Sequence, residues 1–586
     1  MKTRCSLLVA FFLALSLSAQ QPTPQPAEKP PEKCVLEGQV VRAGSGEPLK
    51  KARVVLRKAE GRDEPYSTLS DAAGRFVLTD LEPGRYRLYV GRNGYVRQEY
   101  GQRQPNSPGT ILTLAPGQRL RDLVFKLIPA AVIAGRVYDE DGEPVPGARM
   151  EALQYRYNRQ NRRELAPMRF ATSNDRGEYR LFGLPPGRYY ISATYSPGMT
   201  YMGLGYMSEG GRTTDEEGYA PTYYPGTNDP GRATAMEVRQ GDEVGGVDIL
   251  LLPARAVRVR GRIINTVTGK PVHDAMIHLF PRGAGVRVFS FESRATVDPA
   301  KGTFEIARVT PGSYTLFADW YDEDSQENYR ARMPLEVGSS NVEGIELVIG
   351  RGVELAGTVR LETGLRPTGL GQPAPTGDTT KPEQREAPLD LDDLFVQLNT
   401  DDDFPFGGES GPVKADGSFQ VKNLSPGEYK VEVWQRGGLP GDYYLKSARL
   451  AGDDVLEEGL AVSGPVRGAL ELTLSPAGGH IEGTVLTAEG QPFSGARVVL
   501  VPEERRRQRT DLFKSTTTDQ YGRFTLRGIT PGEYKLFAWE DIEPGAYQDA
   551  EFLRPYEEKG KEVRIREGDR LEVELALIPA DGPRPE

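Results

Sequence analysis

The sequence predicts an all-β chain built as a tandem array of five small sandwich domains, and three observations carry that expectation. Five times a Pro-Gly-x-Tyr turn follows an aromatic residue at one fixed distance: Phe76 and Tyr86, Tyr179 and Tyr189, Phe304 and Tyr314, Phe419 and Tyr429, and Phe524 and Tyr534. Five apolar-x-Gly-x-apolar segments precede them, centred on Gly38, Gly135, Gly261, Gly357 and Gly483, which lie 97, 126, 96 and 126 residues apart. That spacing is close to ordinary domain size and exceeds the period of solenoid repeats, so each unit should own its core. The composition agrees: 67 Gly, 46 Pro and 27 Tyr in 586 residues, with no long apolar stretch of helical period, favour short strands between turns.

The chain opens on an address. Lys2 and Arg4 precede an apolar run from Leu7 to Leu17, and the small residues Ser16, Ser18 and Ala19 offer a cleavage site after Ser18 or Ala19, which reads as an export signal over residues 1–19. A Pro- and Gln-rich linker follows at 20–33. The sandwiches are expected at 34–129, 130–253, 254–351, 352–476 and 477–580, before a tail at 581–586. Within each, the Gly-centred strand comes first. A Pro follows at Pro48, Pro144, Pro271, Pro367 or Pro492, then in four units a strand led by Ala52, Ala148, Ala275 or Ala496. In the fourth unit a Pro/Gly/Thr-rich insertion, Thr368 to Ala387, intervenes instead. An Asp or Asn turn closed by Gly then leads to the repeat aromatic, as in Asp71 to Gly74 and Asp519 to Gly522. The Pro-Gly pairs read as type II turns, with Gly84, Gly187, Gly312, Gly427 and Gly532 at the position that needs positive φ. Short joints such as Ile128-Pro129-Ala130 and Leu252-Pro253-Ala254 restrict the hinges and predict a semi-rigid monomeric rod, roughly 150 Å long at the rise of a strand.

These features resemble the carboxypeptidase regulatory-like, or transthyretin-like, domains that recur in tandem in exported bacterial proteins. The opening Gly strand, the hairpin from Gly46 to Ala52, the Asp-x-x-Gly-x-Phe turn and Leu81-Glu82-Pro83-Gly84-Arg85-Tyr86 carry the likeness. The resemblance implies Greek-key sandwiches of about seven strands, of a carbohydrate-binding-like fold, and no catalysis. The Cna-type B domains of bacterial surface proteins share the Pro-Gly-x-Tyr turn but place a Glu four residues past its Tyr to promote an isopeptide bond. Here those positions are Val90, Ala193, Ala318, Val433 and Ala538, so no such crosslink is expected.

Catalytic chemistry lacks its parts. The three histidines are His273, His278 and His480, without the spacing of a zinc site. No nucleophile elbow or phosphate loop is present. Neither cofactor nor metal is expected. The acidic runs Asp139 to Glu143, Asp322 to Asp324 and Asp401 to Asp403 lack EF-hand spacing and read as solvated turns, with an interdomain calcium site as the alternative. Once the signal is removed Cys34 is the only cysteine, so no internal disulfide is expected; the thiol either tucks against the first strand or pairs with another chain. A net charge of −10 argues against nucleic acid or an anionic membrane as partner. Nothing after the signal is apolar enough to span a bilayer.

The remaining candidates are aromatic. Trp434 and Trp539 stand five residues past their Pro-Gly Tyr, off the core-facing set, and Trp320 stands six past Tyr314. Such rings serve either sugar stacking or packing against a neighbouring domain. A long loop in the second unit adds Tyr195, Tyr201, Tyr206, Tyr219, Tyr223 and Tyr224, suited to adaptable recognition or to covering its own sandwich. Trp320, Trp434, Trp539, Tyr219, Tyr223 and Tyr224 are therefore the candidate ligand contacts. The expected function is an exported, non-catalytic envelope scaffold, adhesion or binding module, in the periplasm, at the cell surface or outside the cell. Its partner would be a polysaccharide or another envelope protein. A polysaccharide-binding protein and an accessory subunit of a separate peptidase or transporter are the alternatives.

Overall fold

The computed structural model describes residues 32–59, 64–105, 107–158, 163–195, 217–272, 275–282, 295–323, 325–362, 389–400, 408–435 and 438–580. The expected signal, nearly all of the linker, the Thr368 to Ala387 insertion, the tail, Tyr201, Tyr206, His273 and Asp401 to Asp403 lie outside them. Strand is the dominant element of the described chain, and its two α-helices, Val455–Glu458 and Ala550–Leu553, are single turns. None of its helices is long and apolar enough to cross a membrane.

The first unit shows the plan. Its opening strand Cys34–Arg42 lies in the middle of a sheet, antiparallel to Arg75–Leu81 on one side and parallel to the closing strand Arg119–Leu127 on the other. The facing sheet runs Tyr66–Leu69, Arg53–Lys58, Gly84–Gly91, with Leu112–Leu114 and Gln98–Glu99 beyond. The last unit repeats it: Arg523–Ile529, Gly479–Leu486 and Arg570–Ala576 face Lys514–Thr517, Arg497–Pro502, Gly532–Trp539 and Lys561–Ile565. Alternate residues of both sheets point inward. The buried apolar side chains gather in separate clusters within 34–127, 131–251, 257–349, 355–474 and 481–575.

The opening glycine has a steric cause. A Cβ on Gly38 would sit 2.3 Å from the carbonyl oxygen of Leu123 and 2.7 Å from the ring of Phe76. Gly261, Gly357 and Gly483 face the same pair of obstacles, a carbonyl on the parallel closing strand and the ring of Phe304, Phe419 or Phe524. In these four units the aromatic ten residues before the Pro-Gly Tyr therefore lies over a bare α-carbon, and the two motifs are halves of one contact; in the second unit a Cβ on Gly135 would instead stand 2.0 Å from the Val247 carbonyl oxygen.

The Pro-Gly turn differs from the expectation. It joins no hairpin; it carries the chain from the sheet of the opening strand across to the facing sheet. Gly84 and Gly187 have φ of 154° and 156°, while Gly312, Gly427 and Gly532 lie outside the left-handed region, so the type II assignment is replaced. The left-handed residue stands three positions before each Pro: Asp80, Gly183, Arg308, Asn423 and Gly528, with φ from 58° to 76°. In each unit a register shift in the pairing with the opening strand falls beside that residue, as between Leu78 and Leu81, which marks a β-bulge. The bulge bends the strand out of its sheet, and the tyrosine fixes the corner. Tyr86, Tyr189, Tyr314, Tyr429 and Tyr534 each donate their hydroxyl to the carbonyl four residues back, at 2.7 to 2.8 Å.

The Ala-led strands are tied down by a buried hydroxyl. Ser70 accepts from the Ala52 amide and donates to the Leu49 carbonyl, and Ser173 and Thr518 do the same for Ala148 and Ala496. Ala52, Ala148 and Ala496 are fully buried at this junction. Cys34 is fully buried and donates to the Ala115 carbonyl, so the thiol is tucked inside the first unit rather than available to another chain.

The rod expectation is corrected by contacts between the ends of the array. Gln520 of the fifth unit makes two hydrogen bonds with the Thr113 backbone in the first, accepting from its amide and donating to its carbonyl. Ser107 bonds Asp541, Arg103 pairs with Glu540, and the Arg103 guanidinium lies 4.1 Å from the centre of the Phe493 ring. Tyr157 of the second unit also packs against the fifth. Restricted joints fix the direction of each step, and here the steps turn the array back until its last unit meets its first two.

Candidate ligand-binding surfaces

The candidate aromatics have different fates. Trp320 is 8% exposed and stacks on Tyr329 within the third unit's core. Trp539 is 2% exposed, stacked on Phe537 beneath Phe552 and Tyr556. It does leave its own sandwich core, as the alternation requires, but the segment from Ala546 to Lys559 folds over it into a second apolar cluster. Tyr223, at 3%, is covered with Leu153 and Leu165. Tyr224 packs on the second unit's core, and Tyr219 donates to Glu140 at 2.7 Å. The described part of the tyrosine loop thus covers its own sandwich. Trp320, Trp539 and Tyr223 offer no free face, and Tyr219 and Tyr224 are half-buried.

Trp434 does. It is 40% exposed and stacks on Phe395, with ring centres 5.1 Å apart and planes at 21°. The cause is pairing: Phe395 and Trp434 are direct partners on neighbouring strands Leu394–Thr400 and Gly427–Gln435, both on the face away from the core. The same face continues with Gln397 opposite Glu432 and Asn399 opposite Lys430. Gln397 donates to Asn399 and Asn399 to Glu432, each at 3.1 Å, so a row of oriented polar groups runs beside the aromatic pair. A flat strip with ring faces at one end and planar hydrogen-bonding groups along it suits a sugar chain, which presents apolar ring faces and a rim of hydroxyls.

A second concavity is invisible in the sequence because three units build it. A cleft of about 650 Å³ lies between the first, second and fifth units. The second unit contributes Tyr155 and Tyr190, in edge-to-face contact at 5.4 Å, with Arg156, Arg163 and Arg188. The fifth contributes Trp539, Asp541 and Glu543. Burial raises the Glu543 carboxyl above its ordinary value, against the pull of Arg163 and Arg156.

No group of three or more His, Cys, Asp or Glu side chains is placed to hold a metal among the described residues. His278 lies on the strand Met276–Pro281, and His480 is buried where the fourth and fifth units meet, near Asp442 and Glu482. Val90, Ala193, Ala318, Val433 and Ala538 are buried core residues.

No curated protein matches the chain. Among solved structures, the Bacillus anthracis TIE protein matches at 14% identity over 54% of this chain and half of that one, with a TM-score of 0.15. GBS52, the minor pilin of Streptococcus agalactiae, matches at 10% identity over 39% of this chain and 98% of its own, with a TM-score of 0.21. BcpA, the major pilin subunit of Bacillus cereus, matches at 12% identity over 54% and 99%, with a TM-score of 0.14. The family model of the carboxypeptidase regulatory-like domain matches three stretches, residues 35–127, 132–201 and 480–577. The chain is thus an all-β tandem protein in which three stretches, in its first, second and last units, are similar to the carboxypeptidase regulatory-like domain.

Proposed function

We propose that this chain is an exported, non-catalytic scaffold that binds polysaccharide on the outer sheet of its fourth unit. The observation that carries the reading is the exposed Trp434 stacked on Phe395, continued on the same face by Gln397, Asn399 and Glu432. The buried side of those strands holds the core, so the outer side is free to be chosen for something other than stability. Affinity electrophoresis against a panel of neutral polysaccharides tests it. Retardation by at least one of them should be lost when Trp434→Ala is introduced, with binding weakened by roughly 1–3 kcal/mol, as for an aromatic hot spot. The melting temperature should change little, because the ring is not part of the core. Equal retardation of the variant, or none of the native protein across the panel, would reject the reading.

A further inference from the structure

The cleft between the first, second and fifth units holds features that stability does not account for. Among the described residues Arg156, Arg163 and Arg188 form no ion pair; Arg163 and Arg188 are exposed, and Arg163 lies over Tyr155 and Arg188 over Tyr190. On the opposite wall two buried polar atoms lack a hydrogen-bond partner, the indole Nε1 of Trp539 and Oε1 of Glu543. One is a donor and the other an acceptor. Buried groups in that state cost free energy, and the usual resolution is a ligand or water that bonds them.

We infer that the cleft is a binding site for an acidic oligosaccharide. A hydroxyl both donates and accepts, so a polyhydroxylated ligand satisfies the Glu543 carboxylate and the Trp539 indole alike. The guanidinium groups supply what a sugar carboxylate needs, planar charged donors on a wall that faces solvent. Tyr155, itself 36% exposed, adds a ring face. A volume near 650 Å³ falls in the range of small-ligand sites and holds a few sugar rings, not a folded partner. The site is separate from the fourth unit's platform and distinct in charge.

Isothermal titration of the full chain with trigalacturonate, galactotriose and hexaglutamate tests it. The native protein should bind trigalacturonate at least tenfold more tightly than galactotriose, and hexaglutamate should compete poorly. The double variant R163Q/R188Q, with two exposed side chains changed, should lose at least tenfold in affinity for trigalacturonate at an unchanged melting temperature. Trp434→Ala should leave this binding intact, which separates the cleft from the platform. Equal affinity for the neutral sugar, stronger binding of the acidic peptide, an unaltered double variant, or no uptake of trigalacturonate at millimolar concentration would each overturn the inference.

Discussion

A single hydroxyl recurs five times as the fastening of the corner between sheets. Replacing Tyr534 by Phe removes the donor to the Thr530 carbonyl and nothing else, so the fifth unit should lose roughly 1–2 kcal/mol, read from denaturant unfolding. The left-handed position before the corner predicts a different pattern. Asp80, exposed and at φ 58°, should tolerate Gly at little cost or with a small gain, whereas Asp80→Val should cost about 1–2 kcal/mol. The position was hard to read because its occupants, Asp, Gly, Arg, Asn and Gly, share a conformation rather than a chemistry. Tyr and the Pro-Gly pair never vary, which made the corner legible and its geometry not. At Gly312 the restriction is local crowding, since a Cβ would come 3.2 Å from the Tyr314 ring.

At the scale of an element, the opening strand is the member of each sandwich least able to change. A methyl group on Gly483 would stand 2.2 Å from the Val573 carbonyl and 2.8 Å from the Phe524 ring, both fixed, so Gly483→Ala should cost about 1–3 kcal/mol or more and lower the melting temperature of the fifth unit first. The sequence pointed to this glycine by repetition; only the parallel closing strand explains it, and parallel pairing over ninety residues leaves no local mark. The neighbouring His480 makes the junction between the fourth and fifth units sensitive to acid. Burial holds its imidazole below the ordinary value near 6.5, with Asp442 and Glu482 pulling upward and Arg527 and Arg570 downward. The unfolded chain takes up a proton near 6.5 and the folded one only at lower pH, so stability falls as pH drops below 6.5 and levels off beneath the folded value. A comparison of melting curves for the native protein and His480→Gln between pH 7.5 and 5 should show a smaller decline in the variant.

At the scale of the molecule, the array is legible as five repeats but not as a closed one. Short joints announce restricted hinges, yet the sum of several fixed turns cannot be read from any of them. Gln520, Arg103 and Ser107 look like ordinary loop residues until the two ends meet. For the same reason the cleft could not be found, whereas the off-core position of Trp434 could, because strand alternation is a local rule. Removing the Gln520 amide and the Arg103 guanidinium together should weaken closure by roughly 1–3 kcal/mol. Solution scattering should record a larger radius of gyration for R103A/Q520A than for the native chain, with each unit still folded by circular dichroism. An unchanged radius would mean that the joints alone hold the ring.

The closing contact joins two different surfaces, one near Thr113 and one around Gln520, and such a head-to-tail pair has a second way to be satisfied. When both belong to one molecule, the partner is supplied at an effective concentration set by the joints, and the contact closes within that molecule. When a ring opens, its free ends are complementary to those of any other open copy, and repeated pairing of unlike surfaces propagates a filament instead of ending at a dimer. Stiff joints raise the local concentration and disfavour that exchange. Lengthening a single joint with glycine is therefore enough to move the balance from self-capped units toward a linear polymer, without altering one residue of the contact itself.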